Sequence, residues 1–173
     1  METSRRSFFK AGAVATLVLG AGGGVYRYMH PPAPGRYALD GAARAVLAAV
    51  VPAVLDGVLP DDPGARRQAI ASTIDGVDKA IRGLPLALQG EVKDLFGLLA
   101  LAPARRWLAG VPDGWDQADA GQVAAWLQRW RSHRLGLLRD AYQALRDLVL
   151  GSWYAEPANW AAIGYPGPIA ELA

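Results

Sequence analysis

The chain repeats its apolar side chains at the three- and four-residue spacing of amphipathic helices over residues 39–151. No stretch alternates with the two-residue period that half-buried strands require. We therefore predict an all-α domain, a compact bundle of about five helices. The apolar positions of the five stripes are Val46, Val50, Val54 and Val58; Ile70, Ile74, Val77, Ile81 and Leu84; Leu88, Val92, Leu95, Phe96 and Leu99; Val123, Trp126, Leu127 and Trp130; and Leu135, Leu138, Tyr142, Leu145 and Val149.

Prolines, glycines and capping residues predict where these helices begin and end. Pro52 should kink or divide the first helix, because proline lacks the amide that the helix needs. Residues 60–64, which contain two prolines and a glycine, predict a loop. Pro103 should end the third helix or begin a short new turn, Asp119 should cap the fourth, and Gly151 should close the fifth.

Charged side chains occur in two notable places, on the second predicted helix and after the third. Asp75 with Lys79, and Asp78 with Arg82, are acid-first pairs four residues apart, which indicates a solvated helix surface. The segment 104–114, which contains an Arg-Arg-Trp run, is predicted to be irregular. Its tryptophan, Trp107, has two equally weighted interpretations: part of a surface that meets another protein, or an aromatic that caps the bundle.

The first thirty residues carry a pattern that differs from the helical domain. Two adjacent arginines, an apolar residue two places on and a lysine precede the uncharged run 11–24, which is typical of a twin-arginine export signal. A basic arm with an accidental Arg-Arg is the alternative, but such an arm should continue polar. The residues that carry the signal are Arg5, Arg6, Phe8 and Lys10.

This signal predicts export of the folded protein to the periplasm. The apolar run 11–24 is shorter than the roughly 20 residues of a membrane span, so both cleavage and retention as a weak inner-membrane anchor stay open. Residues 31–38 are a proline-rich linker, the helical domain covers residues 39–151, and residues 152–173 form an extended tail.

Composition and charge narrow the function classes. The formal net charge is +2, but residues 1–30 hold four basic side chains and one acidic side chain, which leaves −1 on the remainder. This balance gives no electrostatic case for binding nucleic acid. Cysteine is absent, and His133 is the single histidine after the linker. We therefore predict no catalytic, cofactor-binding or metal-binding residue in this chain, and hence no enzyme.

The tail carries the pattern that points to a family. The segment 151–168 has a Tyr-x-x-Pro-x-x-Trp run followed by Ile-Gly-Tyr-Pro-Gly-Pro. Together with the export signal, it resembles the gluconate 2-dehydrogenase subunit 3 type, the small subunits of bacterial FAD-dependent sugar and alcohol dehydrogenases. The residues predicted to contact a partner are Trp153, Tyr154, Pro157, Trp160, Ile163, Gly164, Tyr165, Pro166, Gly167 and Pro168.

The resemblance implies an accessory role. In such complexes a large glucose-methanol-choline type flavoprotein holds FAD and oxidises the substrate, while the small subunit assists its folding and carries it through the twin-arginine translocase. In some of them a multihaem cytochrome c joins as the membrane-bound electron acceptor. The resemblance therefore implies FAD in the partner and no cofactor in this chain.

Two alternatives stay open. The tail could fold back onto its own bundle and bury Trp160 there, although six tryptophans are many for one small core. The chain could also be a free-standing exported helical protein that binds another envelope partner. Such a protein would be stable alone and would purify without a bound flavoprotein.

Overall fold

The structure is a computed structural model, and it describes residues 37–160 and Gly164. All regular elements in this part of the chain are helices, which confirms the predicted all-α class. Two single turns accompany the α-helices, a π-helical turn at Arg105–Ala109 and a 3₁₀ turn at Pro157–Asn159. The α-helices are α1 at Gly41–Val54, α2 at Pro63–Arg82, α3 at Leu86–Ala100, α4 at Ala102–Ala104, α5 at Ala120–Arg131 and α6 at Gly136–Tyr154.

Aspartates open three of the long helices. Asp40, Asp62 and Asp119 each accept a hydrogen bond from the amide three residues further on, at 2.8, 2.7 and 3.1 Å. Each satisfies one amide that the first helical turn leaves without a partner. The cap at Asp119 confirms the prediction. The predicted loop at 60–64 ends earlier, because Asp62 caps α2 and Pro63 is its first residue.

Two residues that were predicted to interrupt helices lie inside them. Pro52 lies inside α1, which continues undivided to Val54, so the helix tolerates the loss of one amide donor in its last turn. Gly151 does not close α6, which continues to Tyr154. The next turn contains Trp153, which is 2% exposed, and burial of its indole outweighs the roughly 1 kcal/mol helix cost of one glycine.

The core is one cluster built from the predicted apolar stripes, and tryptophans fill one part of it. The ring centroids of Trp115 and Trp126 are 5.2 Å apart, and those of Trp126 and Trp130 are 5.0 Å apart in an edge-to-face arrangement. Trp115 Nε1 donates to the carbonyl of Leu99 at 2.8 Å. The two tryptophans of α5 are therefore core residues, as their shared stripe predicted.

Buried polar side chains fasten the start of the domain to the bundle. The amide of Leu39 donates to Asp78 Oδ1 at 2.8 Å, and the amide of Tyr37 donates to Gln89 Oε1 at 2.9 Å. Gln89 also donates to the carbonyl of Leu84 at 2.8 Å. The beginning of α1 thus lies beside the end of α2 and the beginning of α3.

These bonds correct the interpretation of the charges on α2. Asp78 is 6% exposed and pairs with Arg82, so it is a buried anchor and does not belong to a solvated surface. Asp75 pairs with Arg44 of α1 at 2.9 Å across the helix interface. Because both of these side chains are largely exposed, the Asp75–Arg44 pair contributes little to stability.

In residues 37–160, no helix combines the length and the apolar character that crossing a membrane requires.

Candidate functional site

The first part of the tail packs against the end of α6. Pro157 begins a 3₁₀ turn. The side chains of Asn159 and Trp160 then donate hydrogen bonds to carbonyls near the end of α6. Asn159 Nδ2 donates to the carbonyl of Trp153 at 2.9 Å, and Trp160 Nε1 donates to the carbonyl of Tyr154 at 2.7 Å. The bond from Trp160 satisfies the carbonyl of Tyr154 at the helix end, and the bond from Asn159 adds to the one that the amide of Glu156 makes to the carbonyl of Trp153. The tail therefore leaves α6 in a direction that its own side chains fix.

The predicted contact residues differ in accessibility. Trp153 lies in the core at 2% exposure, so its ring reaches no partner unless the bundle opens. Tyr154 is 40% exposed and Pro157 is exposed. Trp160 is half-buried, which places it between the two alternatives, folded back on α6 and still partly accessible.

Gly164 is exposed and has φ of +69°, a left-handed conformation that glycine adopts without strain. The remaining predicted residues lie outside the described part of the chain: Arg5, Arg6, Phe8, Lys10, Ile163, Tyr165, Pro166, Gly167 and Pro168.

A groove of about 430 Å³ runs between α2 and α6 beside the place where the tail leaves. Small side chains line most of it, including the hydroxyl-bearing Ser72, Thr73 and Ser152, and Lys79, Glu156 and Asn159 add larger polar groups. The two helices approach closely here, because a Cβ atom on Gly76 would lie 3.0 Å from Ser152 Cβ. The groove is not visible in the sequence, since a glycine inside a helical pattern does not reveal which helix it faces.

Alanine at two glycines of this groove should have opposite effects on stability. Gly151→Ala meets no atom within 4 Å and should raise the free energy of unfolding by about 0.5–1 kcal/mol through helix propensity. Gly76→Ala makes the same gain but forces α6 away, a cost of about 1–3 kcal/mol. It should therefore be destabilising overall. Denaturant unfolding of both full-length variants measures the difference, and equal stabilisation would contradict the close approach of α2 and α6.

The π-helical turn presents the second candidate surface. Trp107 is 84% exposed, so it does not cap the bundle. Arg105 fixes the turn by donating to the carbonyls of Val111 and Pro112, each at 3.1 Å. This exposure contradicts the aromatic cap, and the surface that meets another protein stays a prediction.

Titratable side chains in the described residues form no recognisable reaction centre. His133 Nδ1 accepts a hydrogen bond from the amide of Leu135 at 3.1 Å, which is a role in the turn between α5 and α6. Within residues 37–160, no group of three or more histidine, cysteine or acidic side chains is placed to hold a metal ion.

Comparison with known proteins gave no match: no family model matches this chain, and no curated protein or solved structure matches it at a significant level. The function is therefore inferred from the residues of the chain and from their placement.

Proposed function

We propose that the chain is a non-catalytic accessory subunit. It supports the folding of a large FAD-dependent dehydrogenase of the glucose-methanol-choline type and carries it through the twin-arginine pathway to the periplasm. The observation that carries the proposal is the presence in one chain of two distinctive segments, the export signal around Arg5 and Arg6 and the aromatic, proline-rich tail from Tyr154. These are the segments by which the chain resembles the gluconate 2-dehydrogenase subunit 3 type.

The positions of the domain's two ends support an escort role. The amide of Leu39 donates to Asp78 in α2. Ser152 in α6 lies against Gly76, which is also in α2. Positions 76 and 78 are separated by about 3 Å along the axis of α2. The segment that leads from the export signal and the segment that leads into the tail therefore join the bundle at the same level.

The chemistry of the tail supports protein contact. Proline and glycine keep residues 164–168 from continuing as an α-helix, so apolar and aromatic groups there can cover a partner surface in extended form. The bonds of Asn159 and Trp160 to α6 orient the start of the tail before a partner arrives. Pre-orientation reduces the entropy that binding must overcome.

The test of the proposal is affinity purification of the full-length chain from the envelope fraction of its native host. The absorbance spectrum and mass identification of the co-eluting material are the measurements. A flavin spectrum with a large dehydrogenase would support the accessory role. A colourless chain that elutes alone under gentle conditions would contradict it and favour a free-standing exported protein.

Removing the two aromatic groups of the tail should weaken association with the flavoprotein. The double variant Trp160→Ala, Tyr165→Ala should raise the dissociation constant by about 10- to 100-fold, because aromatic anchors dominate protein interfaces. The helicity of the small subunit, measured by circular dichroism, should change little. The control Trp160→Phe keeps an aromatic ring and removes the hydrogen bond from Nε1 to the carbonyl of Tyr154. Equal losses of helicity and association would mean that the tail belongs to the core.

A further inference from the structure

The groove between α2 and α6 begins where the tail leaves the bundle. Its volume of about 430 Å³ lies within the roughly 300–1,000 Å³ of clefts that hold a ligand. Glu156 and Asn159, which follow α6, form part of its wall. Five residues that line it have a side chain no larger than a methyl group: Gly76, Ala80, Gly83, Gly151 and Ala155. The groove therefore offers space that the larger side chains of another segment can fill.

The charges in the groove favour an occupant that is almost neutral. Lys79 and Glu156 are the charged side chains among the described residues that line it, and their charges cancel. A phosphate group or an acidic peptide would therefore gain little from electrostatic attraction. An occupant must bind here mainly by burying apolar surface.

The chain itself contains such a segment beyond Gly164. Residues 165–173 have a single charged side chain, that of Glu171. Their large or rigid apolar side chains are Tyr165, Pro166, Pro168, Ile169 and Leu172. Burial of these side chains against the bundle would remove apolar surface from water.

The described residues of the tail direct it back towards the bundle. Asn159 and Trp160 each donate to a carbonyl six residues earlier in the chain. Gly164 is exposed with φ of +69°, and a Cβ atom there would meet nothing within 4 Å. These are the features of the outer corner of a turn, at which the chain can reverse its direction. The nine residues that follow reach up to about 30 Å when extended, and the groove is about 16 Å long between Ser72 and Gly83.

The spacing of the apolar residues fits a segment that lies along a groove. Pro166 and Pro168 favour the polyproline II conformation, which has three residues per turn. Every third side chain then faces the same side, so Pro166, Ile169 and Leu172 form one apolar row about 19 Å long. This row is close in length to the groove.

We propose that residues 165–173 lie in the groove between α2 and α6 while the chain has no partner. The segment is attached at the edge of the groove, so its effective concentration there is about millimolar, and contacts too weak to hold a free peptide hold it. The docking goes beyond the proposed function, because it belongs to the free chain. It covers the apolar side chains of the tail until a partner competes for them.

Acetylation of lysines, followed by mass spectrometry, measures how far the tail covers the groove of the purified full-length chain. The double variant Ile169→Ser, Leu172→Ser should release the tail and raise the acetylation rate of Lys79 by about threefold or more, as expected if the docked state is the major one. Lys93 does not line the groove, and its rate should not change. An unchanged rate at Lys79 would overturn the proposal.

A matched variant controls for the loss of apolar side chains in general. Leu135 is 53% exposed and does not line the groove. Leu135→Ser should leave the acetylation rate of Lys79 unchanged. If it raises this rate as much as the tail variant does, docking of the tail is not responsible, and the proposal fails.

Cross-linking identifies the occupant of the groove. The chain has no cysteine, so a pair of cysteines can be introduced without competing thiols. A short bismaleimide should join Ala80→Cys to Ile169→Cys within one chain, with a yield about tenfold higher than for Gln128→Cys with Ile169→Cys, because docking raises the local concentration at position 80 alone. Cross-links between two chains would assign the groove to the tail of a second copy. That result, or equal yields from the two pairs, would overturn the proposal.

These measurements use the chain without a flavoprotein, so their outcome is independent of the accessory role. A cross-link from Ala80→Cys in a chain that recovers no flavoprotein would uphold the docking while the proposed function fails. A co-purified flavoprotein, together with a Lys79 rate that ignores the tail variant, would uphold the proposed function and overturn the docking.

Discussion

Replacing Arg5 and Arg6 together by lysine should leave both this chain and the proposed flavoprotein partner in the cytoplasm. The twin-arginine route reads the arginine pair as an address, so lysines of equal charge do not replace it. Cell fractionation followed by immunoblotting of both proteins measures the effect. We expect the periplasmic share of each protein to fall below detection, because the proposed partner depends on this chain for export.

The chain contains its own control for this experiment. Arg66 and Arg67 are a second adjacent arginine pair, in α2, and their replacement by lysine should leave export unchanged. Normal export of both proteins after substitution of Arg5 and Arg6 would refute the interpretation of these residues as an export signal. Retention of this chain alone in the cytoplasm, with the flavoprotein exported normally, would refute the escort role. It would still support the interpretation of Arg5 and Arg6 as an export signal.

Trp126→Ala should produce the largest loss of stability among single substitutions in the bundle. Trp126 is fully buried, and its ring contacts those of Trp115 and Trp130 at centroid distances of 5.2 and 5.0 Å. Removing a buried indole costs about 3–5 kcal/mol, a large part of the 5–15 kcal/mol typical of a whole domain. Guanidinium unfolding followed by circular dichroism measures the shift of the midpoint.

Two companion variants identify the origin of this loss. Gln128→Ala lies on the exposed side of the same helix and should change the free energy of unfolding by less than about 0.5 kcal/mol. Trp126→Phe should cost clearly less than alanine, because Trp126 Nε1 is a buried donor without a hydrogen-bond partner and phenylalanine removes it. A phenylalanine variant as unstable as the alanine variant would contradict this account.

The fold class follows from the sequence because helical periodicity is a local property. The stripe that contains Val123, Trp126 and Trp130 predicted both a helix and its buried face, and Asp119 predicted where it begins. The prediction that Gly151 ends the last helix was wrong for an equally physical reason. Its small local cost to the helix is outweighed by the burial of Trp153, a tertiary contact with residues far away in the chain.

The candidate surfaces were harder to predict, since they depend on contacts between distant residues. The burial of Asp78 depends on Leu39, which is 39 positions earlier in the chain. The close packing at Gly76 depends on Ser152 of another helix. For Trp107 the sequence left two interpretations, because exposure of a side chain cannot be read from its neighbours alone. The signal and most of the tail lie outside the described residues, so their roles stay predictions.

The hydrogen bonds of the first described residues depend on a completely packed bundle. Tyr37 and Leu39 are held by side chains 52 and 39 positions later in the chain, so their bonds form only after α2 and α3 have been synthesised and packed. An unfolded or half-made domain leaves Tyr37 and Leu39 without these bonds. If the chain is exported folded as proposed, the bonds of Tyr37 and Leu39 are thus present only in cargo whose helices have already packed.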